Sequence, residues 1–193
     1  NNEKFISLSI KSALSQSYKN IEVIVVDNNS SDRSWEVIKS FKNTPNLKSF
    51  KNKTNVGMEK NFEVAASYSK GKYLTFLCSD DLLSVDSIRQ SVKIHEKHND
   101  LSFVFGNVSL INSNKKSTKL KFSEVLNKGE WTSHSLSIAK NFIFLSGTII
   151  NKSFVKKIKG KMIASLTFFD WYLWLRLGEF KVGFNNENVG FYR

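Results

Sequence analysis

The chain has 193 residues, of which 40% are hydrophobic and 24% are charged, a composition typical of a folded globular protein rather than a disordered one. Its single cysteine excludes an internal disulfide, and its longest apolar stretches, residues 142–150 and 168–177, fall short of the roughly 20 residues of a membrane-spanning helix. We interpret the net charge of +12 chiefly as solvated surface, with anionic donors, anionic lipids and nucleic acid as alternative partners. We expect no nucleic-acid partner, because no zinc-finger spacing, RNP-like motif or basic heptad region occurs.

Hydrophobic spacing predicts an alternation of helices and strands along the chain. The predicted helices cover residues 5–14, 35–41, 57–69, 85–95 and 168–177. The predicted strands cover residues 23–26, 47–50, 73–77, 101–110 and 147–150. This alternation predicts an α/β fold with a mostly parallel sheet that helices cover on both faces.

Two of the predicted strands end in polar side chains. The β-branched run 23–26 leads into Asp27 and Asn28, and the strand 73–77 leads into the run Cys78-Ser79-Asp80-Asp81. Open α/β sheets bind their ligands at the carboxyl ends of strands, and paired carboxylates there are the ligands that Mg²⁺ or Mn²⁺ prefers, usually completed by phosphates of a substrate. The sequence therefore predicts a metal-diphosphate site at this edge.

With these motifs in order, nearly the whole chain resembles the inverting glycosyltransferases of the GT-A fold, specifically family 2. Residues 18–32 resemble the first nucleotide-binding segment of that family, and residues 55–61 resemble its next loop and helix. Residues 78–81 resemble its DxD region, and residues 170–177 resemble the helix that carries its catalytic acid. The resemblance implies a Rossmann-like GT-A sheet.

The resemblance also implies roles for individual residues. Donor-binding positions are Asp27, Asn28, Lys60, Asn61 and Ser79. The metal positions are Asp80 and Asp81, with Asp80 as the direct ligand of Mn²⁺ or Mg²⁺. Asp170 matches the catalytic base, which removes the proton of the acceptor hydroxyl.

Three positions depart from the family pattern. Asn28 is an amide where the family usually has an acid, which leaves base recognition intact but the identity of the base open. Cys78 replaces the first acid of the DxD region, and a thiol is a poor ligand for a hard cation. Phe169 stands where glutamate is more usual.

Each assignment has a structural alternative. Asp27 and Asn28 are also residues that satisfy a turn, and Asp80 and Asp81 are also residues that cap a helix. Asp170 is also favourable near a helix N-terminus without any chemistry, and Lys60 is equally well read as exposed helix surface.

The predicted function is transfer of a sugar from a nucleoside-diphosphate donor to a saccharide or lipid-linked acceptor with inversion, in polysaccharide or glycoconjugate synthesis. The alternative is a non-catalytic sugar- or nucleotide-binding module of the same fold. A sugar-nucleotide pyrophosphorylase is disfavoured, because no glycine-rich phosphate loop is visible near the N-terminus.

We expect one domain over residues 1–193, with residues 1–110 binding the donor and residues 111–193 binding the acceptor. We also expect a fragment shortened at both ends, with at least about ten further residues upstream that supply a first strand. The expected location is the cytoplasm, with peripheral contact to the inner face of the membrane permitted by the positive charge. The oligomeric state is not predicted.

Overall fold

The computed structural model describes residues 1–111, 117–120, 143–157 and 169–193. Within these ranges the helices are α1 (Ile6–Leu14), α2 (Ser34–Lys39), α3 (Met58–Tyr68), α4 (Ser87–Lys97), α5 (Lys152–Val155) and α6 (Phe169–Leu177). The strands are β1 (Val23–Asp27), β2 (Leu47–Lys51), β3 (Tyr73–Leu74), β4 (Leu82–Leu83), β5 (Leu101–Ile111), β6 (Ser117–Leu120), β7 (Ile149–Asn151) and β8 (Lys181–Tyr192). The predicted elements that lie in these ranges are confirmed to within a few residues.

The first two strands form a small parallel sheet that begins the donor side of the fold. β1 and β2 run in register from Val23 opposite Leu47 to Asp27 opposite Lys51. Ile6 and Ile10, one turn apart on α1, pack with Ile38 of α2 and with Leu47 in a separate apolar cluster. The two helices therefore hold this sheet so that the ends of β1 and β2 lie at the same edge.

The larger sheet is mixed in direction, and this corrects the prediction of mostly parallel pairing. Its strands lie in the order β3-β7-β5-β8-β4, with β6 added to β5. β8 pairs with β5 in parallel, whereas the other pairs in this sheet are antiparallel among the residues that the structure describes. The strands β4, β6 and β8 were absent from the prediction. β4 has two residues, and β8 is rich in asparagine and glycine, which have low strand propensity.

The long strand β5 shows how helices cover both faces. Phe103 points to one face, where its ring centroid lies 5.1 Å from that of Trp174 on α6. Val104 points to the other face, and together with Ile94 of α4 it fills the space above Gly183. The prediction of helices on both faces is confirmed.

Both predicted halves of the chain contribute to the larger sheet. Strands β7 and β8 from the second half pair with β3, β4 and β5, so the halves share one structural unit. The division into donor-binding and acceptor-binding halves stays a prediction. Phe168 and the region 121–142 lie outside the described residues, and no described helix is long and apolar enough to cross a membrane.

Candidate active site

Asp27 closes the turn that follows β1. Its side chain is 1% exposed, and its Oδ2 accepts a hydrogen bond of 3.1 Å from the backbone N–H of Ser30. The Nζ of Lys51, the residue paired with Asp27 on β2, lies 3.9 Å from the same oxygen. Asp27 therefore fixes the backbone at the predicted donor edge, and its buried carboxylate is directed into the protein.

Asn28 lies at the centre of a network of side-chain amides. Its Nδ2 donates to Oδ1 of Asn55 at 2.9 Å and to the carbonyl oxygen of Gly57 at 3.0 Å. Its Oδ1 accepts from Nδ2 of Asn52 and from the backbone N–H of Val56, both at 3.0 Å. All the hydrogen-bonding capacity of this amide is therefore used within the protein.

The other predicted donor residues on α3 differ in their surroundings. Asn61 joins the network, because its Oδ1 accepts from Asn52 at 2.8 Å and its Nδ2 donates to the carbonyl oxygen of Val26 at 3.1 Å. Lys60 is exposed, and its Nζ forms an ion pair of 2.6 Å with Glu63 on the same helix. The structure thus brings Asn61 to Asn28 and leaves Lys60 on the helix surface.

The residues at the start of the chain connect the ends of β1 and β3. The side-chain amide of Asn2 donates to Oγ of Ser79, and its backbone N–H donates to Oγ of Ser34 at 2.8 Å. Asn1 exchanges hydrogen bonds with Ser31 in the loop after β1. Ser79 is therefore held beside the loop that carries Asp27 and Asn28, as the predicted common edge requires.

Asp80 and Asp81 are adjacent in sequence but have different environments. Asp81 is 1% exposed, its Oδ2 accepts from Oγ of Ser146 at 2.6 Å, and its Oδ1 accepts from the backbone N–H of Arg193 at 3.0 Å. Asp80 is half-buried, and its carboxylate makes no hydrogen bond or ion pair with any residue in the described ranges. Asp80 is thus the better candidate for a metal ligand, whereas Asp81 connects β4, β8 and the segment before β7.

Electrostatic effects locate Asp170 near these acids. Burial, then the charge of Asp81, and then smaller contributions from Asp80 and Asp170 together raise the pKa of the Cys78 thiol to about 12, although a hydrogen bond with Ser146 opposes the shift. Burial and the charge of Asp81 also raise the pKa of Tyr192, again with contributions from Asp80 and Asp170. The fold therefore brings α6 and the loop after β3 to one acidic site around Cys78 and Tyr192.

The donor set of this site fits a divalent metal only in part. No group of three histidine, cysteine or acidic side chains in the described part of the chain is arranged to hold a metal ion. The thiol of Cys78 is largely buried against the apolar core, and sulfur is a soft ligand that suits a hard cation poorly. Asp80 alone remains, which suits an ion that takes most of its ligands from phosphates and water.

Sequence reasoning missed four residues of this region. Asn52 donates a hydrogen bond within the amide network, and Ser146 and Arg193 donate hydrogen bonds to Asp81. The charges of the acids contribute to the raised pKa of Tyr192. A signal existed for Asn52, because it follows β2 directly and the parallel register brings it level with Asn28. The other three are contributed by segments distant in sequence: Tyr192 and Arg193 lie at the end of β8, and Ser146 lies in the segment before β7 and forms a β-bridge with Phe76.

An α/β sheet with acidic side chains at one edge is the arrangement expected of an enzyme that uses a nucleotide sugar. Comparison with known proteins identifies the family. Residues 1–158 match the family model described as "Glycosyl transferase family 2". The chain belongs to this family.

Two curated relatives illustrate the family. The chain is 32% identical over 114 residues to the Escherichia coli UDP-Glc:alpha-D-GlcNAc-diphosphoundecaprenol beta-1,3-glucosyltransferase WfgD, covering 59% of this chain and 44% of that protein. It is 30% identical over 108 residues to the Staphylococcus aureus poly(ribitol-phosphate) beta-N-acetylglucosaminyltransferase TarS, covering 54% of this chain and 19% of that protein. The chain thus spans less than half the length of these relatives.

Solved structures confirm the predicted GT-A type fold. S. aureus TarS 1-349 in complex with UDP-GlcNAc superposes with a TM-score of 0.76 at 18% identity, covering 98% of this chain and 55% of that one. The mannosyltransferase PcManGT from Pyrobaculum calidifontis, in complex with GDP-Man and Mn²⁺, superposes with a TM-score of 0.75 at 15% identity, covering 99% and 53%. At these identities the likeness concerns the fold.

Proposed function

We propose that the chain carries the donor site and the catalytic base of an inverting glycosyltransferase that moves a sugar from a nucleoside-diphosphate donor to an acceptor hydroxyl. The observation that carries the proposal is that Cys78, next to the loop acids, packs against the same apolar cluster as Leu173 and Trp174 of α6, the helix with Asp170 in its first turn. Family membership supports the donor class, and both WfgD and the TarS complex have a UDP-linked sugar in their names. A UDP-linked hexose is therefore our proposed donor.

Asp80 would hold the divalent metal ion. Its half-buried carboxylate has no competing partner in the described ranges, and one protein carboxylate with donor phosphates is a usual way to bind Mg²⁺ or Mn²⁺. When bound, the ion would offset the negative charge that develops on the leaving diphosphate. The buried Asp81 would keep the loop that carries Asp80 fixed to the segment before β7 through Ser146 and to the end of β8 through Arg193.

Asp170 would act as the general base from the first turn of α6. It would take the proton of the acceptor hydroxyl while that oxygen forms a bond to the anomeric carbon of the donor. The bond from this carbon to the diphosphate would break, and the nucleoside diphosphate would leave with the bonding electrons. Attack from the face opposite the diphosphate inverts the anomeric configuration.

The proposal is tested by measuring release of UDP from UDP-glucose and UDP-N-acetylglucosamine by the full chain, with and without Mn²⁺ and a saccharide or lipid-diphosphate acceptor. We expect metal-dependent release that is lost in Asp80→Ala and in Asp170→Asn. A folded protein that binds the donor yet neither hydrolyses nor transfers it would support the alternative, a non-catalytic binding module of the same fold.

We also propose that the protein acts in the cytoplasm and contacts anionic lipid at a basic cleft. This cleft of about 720 Å³ lies at the start of β3, the end opposite to Cys78, and its lining includes Lys70, Lys72, Lys152 and Lys156. Lys72 pairs with a glutamate and Lys152 donates to Ser69, whereas Lys70 and Lys156 are exposed and form no ion pair within the described ranges. Lysines near an anionic surface each contribute about 1 kcal/mol of binding.

Vesicle sedimentation tests this contact. We expect the chain to bind vesicles that contain phosphatidylserine and to lose most of that binding in a Lys70→Gln, Lys156→Gln double variant. The matched control is Lys39→Gln with Lys48→Gln, which removes the same charge elsewhere. Equal binding by the two double variants would show that net charge alone, rather than the cleft, attracts the lipid.

A further inference from the structure

Asn52 follows β2 and makes three hydrogen bonds that connect three separate segments. Its backbone N–H donates to the carbonyl oxygen of Asp27 at 2.9 Å. The two hydrogens of its side-chain amide are divided between Oδ1 of Asn28 at 3.0 Å and Oδ1 of Asn61 at 2.8 Å. Asn52 therefore joins the ends of β1 and β2 to the first turns of α3.

These bonds determine which way the amide of Asn28 faces. With its Oδ1 directed to Asn52, the Nδ2 of Asn28 is directed to Asn55 and to the carbonyl oxygen of Gly57. The same Oδ1 holds the backbone N–H of Val56. The loop 55–57 is thus fixed from outside, by a side chain whose own orientation depends on Asn52.

The loop needs such support because its own structure provides little. Gly57 has a φ of +85°, Val56 is 40% exposed, and the N-terminus of α3 has no side-chain cap. Within the loop, the backbone N–H of Gly57 donates to Oδ1 of Asn55 at 3.0 Å, and that oxygen is itself held by Nδ2 of Asn28. An exposed loop that begins a helix without a cap is expected to fluctuate unless tertiary contacts hold it.

We propose that Asn52 is a positioning residue of the donor site, which fixes Asn28, Asn61 and the loop 55–57 so that the nucleoside-binding edge is formed before the donor arrives. The inference rests on the proposed function, because it takes this edge to be where the nucleoside binds. Both side-chain hydrogens of Asn52 are used within the protein, so in this proposal its removal affects binding through the order of the loop. Restoring that order on binding costs affinity, as for any binding site that is not preorganised.

The chemistry at position 52 is specific to an amide. Two acceptor oxygens, those of Asn28 and Asn61, face the same nitrogen, and an asparagine NH₂ group supplies two donors. A carboxylate at this position supplies none and places its charge against both oxygens. Asn52→Asp is therefore expected to be more disruptive than Asn52→Ala, although aspartate is nearly the same size.

The experiment combines hydrogen exchange with donor binding on the full chain, using wild type, Asn52→Ala, Asn52→Asp and the control Asn99→Ala, which removes an exposed asparagine elsewhere. Exchange at the backbone amides of Val56 and Gly57 should accelerate in both Asn52 variants, more in the aspartate variant. Calorimetric titration with UDP and Mn²⁺ should show about ten-fold weaker binding for Asn52→Ala, as expected for loss of one to two hydrogen bonds. The turnover at saturating donor should stay near that of wild type.

Different results would contradict the positioning role of Asn52 and the proposed function of the chain. If wild type binds UDP and Asn52→Ala binds it equally well, or if the Val56 and Gly57 amides exchange at wild-type rates in both variants, the positioning role is overturned. A loss of turnover at saturating donor with unchanged affinity would also overturn it. If folded wild type binds no nucleoside diphosphate, the proposed function fails first and the positioning role fails with it.

Discussion

The two polar regions at the edge of the fold differ in how far their side chains find hydrogen-bond partners within the protein. On the side of β1, β2 and α3 four side-chain amides, those of Asn28, Asn52, Asn55 and Asn61, bond to each other, and the amide of Asn28 has all its hydrogen-bonding groups used. On the side of β3, β8 and α6 the groups are carboxylates, a thiol and a phenol. There the carboxylate of Asp80 makes no hydrogen bond or ion pair in the described ranges, although its backbone carbonyl oxygen accepts from Nε of Arg193, and the pKa values of Cys78 and Tyr192 are raised.

The difference matches two different tasks. A surface that recognises a nucleoside gains from rigid, uncharged groups whose geometry does not depend on pH. A site that holds a metal and moves a proton needs charges that the protein leaves available, and these are found together where burial and like charge perturb pKa values. We expect substitutions in the amide region to change affinity and substitutions in the acidic region to change catalysis.

The largest effect is expected for Asp170→Asn. Removing a general base costs roughly 10²- to 10⁴-fold in kcat, while the affinity for UDP with Mn²⁺ should stay close to that of wild type. Steady-state kinetics and calorimetry on the same preparation measure the two quantities. The control Glu179→Gln removes an exposed acid just after the same helix and should have wild-type kcat. Equal loss in both variants would argue against a base at position 170.

The next effect concerns the thiol of Cys78, the single cysteine of the chain. Its pKa of about 12, raised from 9.0, predicts alkylation by iodoacetamide roughly 1000-fold slower than that of an unperturbed thiol at pH 8, since the thiolate is the nucleophile. The rate should rise as the pH approaches 12. Asp80→Asn removes one of the charges that raise this pKa, so alkylation should become faster in that variant. Reaction at the rate of a free thiol would show that neither burial nor the neighbouring acids raise the pKa of Cys78.

A stability comparison separates the two neighbouring acids. Asp81→Ala leaves the hydroxyl of Ser146 and the N–H of Arg193 without their acceptor, and we expect a loss of about 1–3 kcal/mol in the free energy of unfolding. Asp80→Ala should change it by less than about 0.5 kcal/mol, since its carboxylate has no partner in the described ranges. Urea titration gives both values. If Asp80→Ala were the more destabilising variant, Asp80 would have the structural role and Asp81 would be the better candidate for the metal ligand.

The smallest effect is expected for Lys60→Ala. Lys60 and Glu63 form an exposed pair three residues apart on α3, which contributes about 0.5 kcal/mol or less. Lys39→Ala breaks a similar pair with Glu36 on α2 and is the matched control. If UDP binding weakens only in Lys60→Ala, the lysine leaves Glu63 to contact the donor. If both variants bind UDP alike, the helix-surface interpretation of Lys60 holds.

The donor edge could be predicted from the sequence, whereas its surroundings could be predicted only in part. The β-branched run before Asp27 is a local signal, so β1 and its polar ending were predicted correctly. The family assignment followed from the order of such local motifs and is confirmed. The role of Asp81 depends on Arg193, which follows a strand rich in asparagine and glycine with little local signal, and on Ser146, which lies in the segment before β7. Contacts of this kind can be predicted only once the order of the strands in the sheet is known.

The most direct test of the account is calorimetric titration of UDP, GDP and dTDP into wild type and Asp80→Ala, each with and without Mn²⁺. We predict that wild type binds one of the three nucleotides in a metal-dependent manner, and that Asp80→Ala loses the metal dependence while remaining folded. Absence of binding of all three nucleotides by folded wild type, or metal-dependent binding that is unchanged in Asp80→Ala, would contradict the account.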